Sequence, residues 1–340
     1  MEIVKPYAEL WVPKDIESHI VRCGQLCYAS EKNIDNKEAW LDTKWKNGHK
    51  SIFRHGTHYY AIPLTHFTEF LEKFFYKNPY CGIYKNDEYA FVSINDQTYR
   101  ENPWFHHLFR YSTNELGIKG FINSKEDLYG ITSILRKTVL VQTQISTSRE
   151  LNRTSPNNIC EQSTRYCNFT QEKFNGEVKL CQPHWMNILG HGVSSCIMWL
   201  DGCNIIVADS NRKPFERITP NSKNTIIVNI DKYENCIYDY FMSTITSSEK
   251  YTNLVDKGML AQDARGALPL DTNTRCVYTY RIEEWKHILD LRYYGTTGKP
   301  HPNARIAADK IRNAINLSLP DFKDASWSEP YFPEDVKLSL

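Results

Sequence analysis

The stretch VLVQTQISTSRELNRTSPNNICEQSTRY, residues 139–166, changes character a quarter of the way along. Its opening VLVQTQI alternates apolar and β-branched side chains with glutamines, which is the pattern of a strand over 139–145. The remainder is polar: Arg149, Arg153 and Arg165, the carboxylates of Glu150 and Glu161, and the hydroxyls of Ser148, Thr154, Ser155, Ser163 and Thr164. Such a run has one reading as a solvated loop and helix end. It has another as a pocket, because arginine forks and turn N–H groups together hold a phosphate or carboxylate. Spacing alone leaves both open. Cys160 and Cys167 flank the run and read as small buried hydrophobes.

Outward from this stretch, apolar spacing predicts helices over 16–27, 38–47, 233–258, 282–291 and 306–315, and strands over 9–12, 57–64, 225–230 and 274–280. Residues 65–138 read as a module of their own. Phe67, Phe70, Leu71 and Phe74 share one helical face there, Asn78-Pro79, Asn86-Asp87 and Asn102-Pro103 mark turns, and YAFVSI (89–94) reads as a short strand. His106-His107, beside Trp104 and Phe105, reads as packing. The tail 321–340 reads as irregular. Strands and helices do not alternate as regular βαβ units, so the expected class is α+β.

Composition sets the outer limits. The chain has 340 residues, with 41 Lys+Arg against 40 Asp+Glu, giving a formal net charge of +1. That balance excludes a generally basic nucleic-acid-binding protein while allowing one local basic pocket. Aromatic residues at 13% exclude a disordered chain. The ten cysteines include no C-x-x-C pair, which argues against a structural zinc site. MEIVKPYAELWVP has no basic region followed by an apolar run, so no secretory signal is read there. No apolar stretch approaches the ~20 residues that span a bilayer. The expectation is a cytoplasmic protein with reduced thiols, no membrane contact and no nucleic-acid strand as partner.

The polar cluster also resembles a known family. Arg153-Thr154-Ser155, seven residues, Ser163, then Arg165-Tyr166 is similar to the active-site segment of the flavin-dependent thymidylate synthases (ThyX), with Thr154 and Ser155 in place of the family's His and Arg. Three further blocks keep the same order. CGQLCYAS (23–30) resembles the family's N-terminal helix. HKSIFRH (49–55) resembles its His-Glu-Ser-x-x-Glu-His segment, with Lys50 and Arg54 in place of two glutamates. ARGALP (264–269) resembles its Ala-Arg-x-x-Leu-Pro turn, followed by a helix carrying Glu284, Trp285, His287, Leu291 and Arg292.

The resemblance implies a ThyX-like fold, a mixed sheet flanked by helices. It divides the chain into 1–64 and 139–320 as scaffold, with 65–138 as an inserted α+β module. It implies transfer of a methylene carbon from methylenetetrahydrofolate to C5 of dUMP, with reduced FAD completing the methyl group and NADPH as reductant. No protein nucleophile is implied. Nucleotide contacts map onto Glu150, Glu161, Ser163, Arg165, Arg265 and Arg292, and flavin contacts onto His55, Arg153 and His287. Arg281 stands where Asn is usual and Glu283 where a flavin-binding Arg is usual, so the nucleotide half is kept and the cofactor half altered. The implied assembly is a homotetramer with shared active sites. The alternatives are a paralogue with changed chemistry (hydroxymethylation, dCMP, another cofactor) and a non-catalytic nucleotide-binding subunit.

Overall fold

The computed structural model describes residues 2–30, 34–153, 158–186 and 236–316, together with the backbone of 195–200, 203–208 and 225–228. Thr154, Ser155 and the tail 321–340 lie outside the described residues. The chain divides into two compact units, the first made of residues 1–7, 142–150 and 162–275, the second of 8–141, 151–161 and 276–340. Among the described residues no helix is long and apolar enough to cross a membrane.

The second unit is built on two four-stranded sheets. One runs in the order Tyr7–Trp11, Arg136–Gln144, Asn273–Arg281, Ile159–Glu161; the other runs Cys81–Lys85, Tyr89–Asn95, Thr57–Pro63, Ser112–Thr113 and is antiparallel throughout. The two-residue period of a strand decides how the second sheet is used. Tyr59, Ala61 and Phe91 face a core shared with Val139, Val141, Tyr278, Tyr280, Trp285 and Ile311. Tyr60, Ile62, Val92 and Ile94 face an aromatic core with Leu71, Phe75 and Phe105. A sheet buried on both faces needs the near-continuous apolar runs seen in THYYAIP and YAFVSIN. Residues 65–138 supply three strands of this sheet, and those strands pair with and around Thr57–Pro63.

Helices cover these cores. Trp285 on helix Ile282–Leu289 is 1% exposed, and its indole N–H donates to the Lys137 carbonyl at 3.1 Å. Burial of a side chain this large contributes roughly 1.5–3 kcal/mol. Helix Glu69–Lys77 starts at a Thr68 cap and buries Leu71 and Phe75. Phe70, expected on the inner face, is 61% exposed, while Phe67, Leu71 and Phe74 pack on the aromatic core together with Phe75. Most other elements fall within three residues of their expected bounds, the central strand starting earlier, at Arg136. The expected helix over 282–291 is α-helical only to Leu289. It then widens into a π-helical turn, Asp290–Tyr294, and stops at Gly295, whose φ of +72° suits a residue without a Cβ.

In the first unit, Glu2–Val4 pairs parallel with Lys179–Cys181. Ser195–Leu200 pairs antiparallel with Cys203–Ala208, which pairs parallel with Thr225–Val228. Helix Ile237–Asp256 ends ahead of Gly258, at φ +95°. It leads into the short helix Ala261–Ala264 and the 3-10 turn Arg265–Ala267.

Candidate functional site

In the first unit the turn after residue 162 brings Ser163 and Arg165 together. Ser163 Oγ accepts from the Arg165 N–H at 3.2 Å, and the Ser163 carbonyl accepts from the Cys167 N–H at 2.9 Å. This turn is latched to the 261–267 segment in both directions. Arg165 Nη2 donates to Gln262 Oε1 at 3.5 Å, and Arg265 Nη1 donates to Thr164 Oγ1 at 3.3 Å. Both arginines are exposed, and among the described residues neither has a carboxylate partner. Each guanidinium is therefore held by one long, neutral hydrogen bond and keeps most of its donors for something else. Each of the two thus leans on the other's segment. Glu150, on helix Ile145–Leu151 of the same polar run, is half-buried.

The second unit carries the other expected residues. Glu161 Oε2 accepts from Asn152 Nδ2 at 3.1 Å, while Asn152 Oδ1 accepts from the Tyr278 hydroxyl at 2.9 Å, so a strand tyrosine orients the carboxylate through an amide. Arg292 sits half-buried in the π-helical turn. Arg153 and His287 are exposed.

His55 closes the 3-10 turn Lys50–His55 and is 1% exposed. Its Nδ1 lies 2.7 Å from Thr279 Oγ1, which lies 2.7 Å from Thr138 Oγ1, which lies 2.9 Å from His19 Nε2. Burial first, with His19 when it is protonated and the Arg136 and Arg54 guanidiniums adding positive charge nearby, holds His55 well below the ordinary histidine value. Burial likewise lowers His19 to about 4. Both rings are neutral near pH 7, and the two threonine hydroxyls relay one hydrogen-bond direction between them. His55 Nε2 is a buried polar atom with no hydrogen-bond partner.

The substitutions that set this chain apart find partners in the same unit. Lys50 pairs with Glu101 at 3.2 Å and Arg54 Nε donates to Gln97 Oε1 at 2.8 Å, both acceptors lying on helix Asp96–Glu101. Glu283 pairs with Arg281 at 2.8 Å. Arg281 also donates to the Cys81 carbonyl at 2.7 Å and to Glu284 at 3.2 Å. Glu283, standing where a flavin-binding Arg is usual, is thus charge-matched within the protein. Gln262, Thr279, Thr138 and His19 were not singled out by sequence, and Thr164 and Asn152 stood there only as members of the polar run. As common polar types without a motif, they gave no signal there.

The family model described as "Thymidylate synthase complementing protein" matches residues 118–321, more than half of the chain. The protein belongs to that family, the one its motifs resemble, and its mixed sheets flanked by helices are the expected fold class. No curated protein sequence matches it. Among solved structures it is similar to the UMP/dUMP methylase PolB from Streptomyces cacaoi bound with 5-Br dUMP, at 14% identity over 93% of each chain and a TM-score of 0.40. The same methylase bound with 5-Br UMP is similar at 14% identity, over 93% of this chain and 91% of that one, with a TM-score of 0.39.

Proposed function

We propose that the protein transfers a one-carbon unit from methylenetetrahydrofolate to C5 of a pyrimidine mononucleotide, with dUMP as substrate and dTMP as product. The observation that carries this reading is the reciprocal latch of Arg165 and Arg265, two guanidiniums without a carboxylate partner among the described residues, in a member of the thymidylate synthase complementing family. Charge-assisted hydrogen bonds of this kind contribute roughly 1.5–3 kcal/mol each, enough for a few of them to give micromolar binding. Ser163, fixed by its own turn, offers a hydroxyl beside them. The contacts expected of Glu150, Glu161 and Arg292 rest on the family resemblance.

FAD is the cofactor this family implies, and the residues present fit it at His55. A buried ring nitrogen without a partner is the atom a bound group would satisfy. The internal Arg281–Glu283 pair offsets the charge of Glu283. His55, Arg153 and His287 would hold the flavin, which when bound and reduced by NADPH supplies the hydride that completes the methyl group. The chain's own contribution is positional: Thr279 fixes the His55 ring, and burial keeps it neutral. Incubation with dUMP, methylenetetrahydrofolate, FAD and NADPH should give a nucleotide in which the C5 hydrogen is replaced by a methyl group. A hydroxymethyl product would overturn the reductive step. Unchanged dUMP with protein that stays colourless after FAD loading would overturn the flavin reading.

A further inference from the structure

Four cysteines of the second unit gather around one helix end. Cys23 lies on helix Ile16–Leu26 and Cys27 caps its C-terminus one turn later. Cys160 and Cys276 lie on the antiparallel strands Ile159–Glu161 and Asn273–Arg281, Cys160 opposite Val277 and Cys276 opposite Glu161. The helix packs on the Ile159–Glu161 strand, and the thiols of Cys27 and Cys160 hydrogen-bond to each other. All four are reduced. Among the described residues no set of three or more His, Cys, Asp or Glu could hold a metal ion.

Their surroundings differ in a way that assigns roles. Cys23, Cys160 and Cys276 are buried, whereas Cys27 is partly exposed. The hydrogen bond from Cys160 pulls the Cys27 thiol below its ordinary value; a backbone N–H and the Lys44 ammonium act the same way, against burial and the Glu161 carboxylate. The same bond and burial hold Cys160 protonated. The thiolate is the nucleophilic form of cysteine, and reactivity follows thiolate character and access. Among these four, only the pair Cys27–Cys160 combines a reachable sulfur with a protonated thiol already in contact with it.

We propose that Cys27 is a peroxide-reactive cysteine and that Cys160 is its resolving partner. The Cys27 thiolate attacks one peroxide oxygen and the O–O bond breaks. The other oxygen leaves as hydroxide and is protonated to water, and Cys27 becomes a sulfenic acid. Sulfur has lost two electrons and peroxide has gained them. Cys160 sulfur then attacks Cys27 sulfur, the S–S bond forms, and the sulfenic hydroxyl leaves as water with the Cys160 proton. In sum, two thiols and one hydrogen peroxide give one disulfide and two waters. This chemistry does not depend on the nucleotide reading, so either can fail without the other.

The test uses the reduced full-length protein, treated with equimolar hydrogen peroxide, denatured, blocked with N-ethylmaleimide and mapped by peptide mass spectrometry. The expected main product is a Cys27–Cys160 linked peptide, at least about tenfold more abundant than any link involving the exposed Cys236, and abolished by dithiothreitol. In Cys160→Ser, dimedone should trap a sulfenic acid on Cys27 with no cross-link. In Cys27→Ser, Cys160 should stay reduced. Wild-type protein in which both Cys27 and Cys160 are alkylated to the untreated extent overturns the proposal. So does dimedone labelling of Cys236 in preference to Cys27 in Cys160→Ser.

Discussion

Arg165 and Arg265 lie about a hundred residues apart in sequence, and each is steadied by the neighbour of the other. Either arginine changed to alanine should weaken dUMP binding at least about tenfold, from the loss of one charge-assisted contact. Calorimetry checks this, and unchanged affinity would remove the proposed phosphate cradle. His19 and His55 give the second prediction at this scale. Their folded-state values lie below the ordinary value of 6.5, so an unfolded chain takes up protons first as pH falls. The stability they allow is therefore present above about pH 6.5 and is lost on acidification, for His19 down to about pH 4. The slope is about 1.4 kcal/mol per pH unit for each such group. His19→Gln, which can still bond Thr138, should flatten the fall measured by chemical denaturation between pH 6.5 and 4.5; an unchanged slope would show that His19 is not buried neutral. Arginine and histidine candidates were legible as residue types within motifs. Their partners were not, because a Gln or Thr carries no information until the chain folds it against a cation.

Among the elements, the strand Cys81–Lys85 meets the residue that caps helix Ile282–Leu289. A Cβ at Gly82 would sit 2.7 Å from both Arg281 Cδ and Ser93 Oγ, so only glycine lets the Arg281 side chain cross this strand to the Cys81 carbonyl. Gly82→Ala should cost roughly 1–3 kcal/mol by overpacking and lower the melting temperature, whereas an unchanged melting curve would show that Arg281 repacks freely. The sequence placed this helix well, since Trp285, Ile288 and Leu289 recur at helical spacing and are buried. It missed the π-helical turn, because side-chain periodicity reports which face is buried and not how the backbone hydrogen bonds shift by one residue. It also put Phe70 on the inner face of Glu69–Lys77, where the side chain is exposed. Phe67, Leu71 and Phe74 do pack on the aromatic core, and Phe75 joins them.

For the whole molecule, light scattering should show a homotetramer, as the family resemblance implies; a monomer at micromolar concentration would count against the shared-site reading. Residues 65–138 looked separable by composition. In the folded chain they share a sheet with Thr57–Pro63, contribute Phe91 to the main core, and supply Glu101 and Gln97 to Lys50 and Arg54. Those two cations, read in sequence as losses of two glutamates, are matched by acceptors from that segment.

By itself the sequence determined the α+β class, the position of most strands and helices, and the family, because apolar periodicity and motif order are local properties of the chain. It also located the basic cluster behind a net charge of +1. Only tertiary structure decided that Glu283 is neutralised by Arg281, that His55 is tied through two threonines to His19, and that Cys27 meets Cys160. The physical reason is common to all three. Each depends on charges, hydrogen-bond donors or thiols brought within contact distance, and apart from the local Arg281–Glu283 pair those distances are set by sheet register and helix packing between segments remote in sequence.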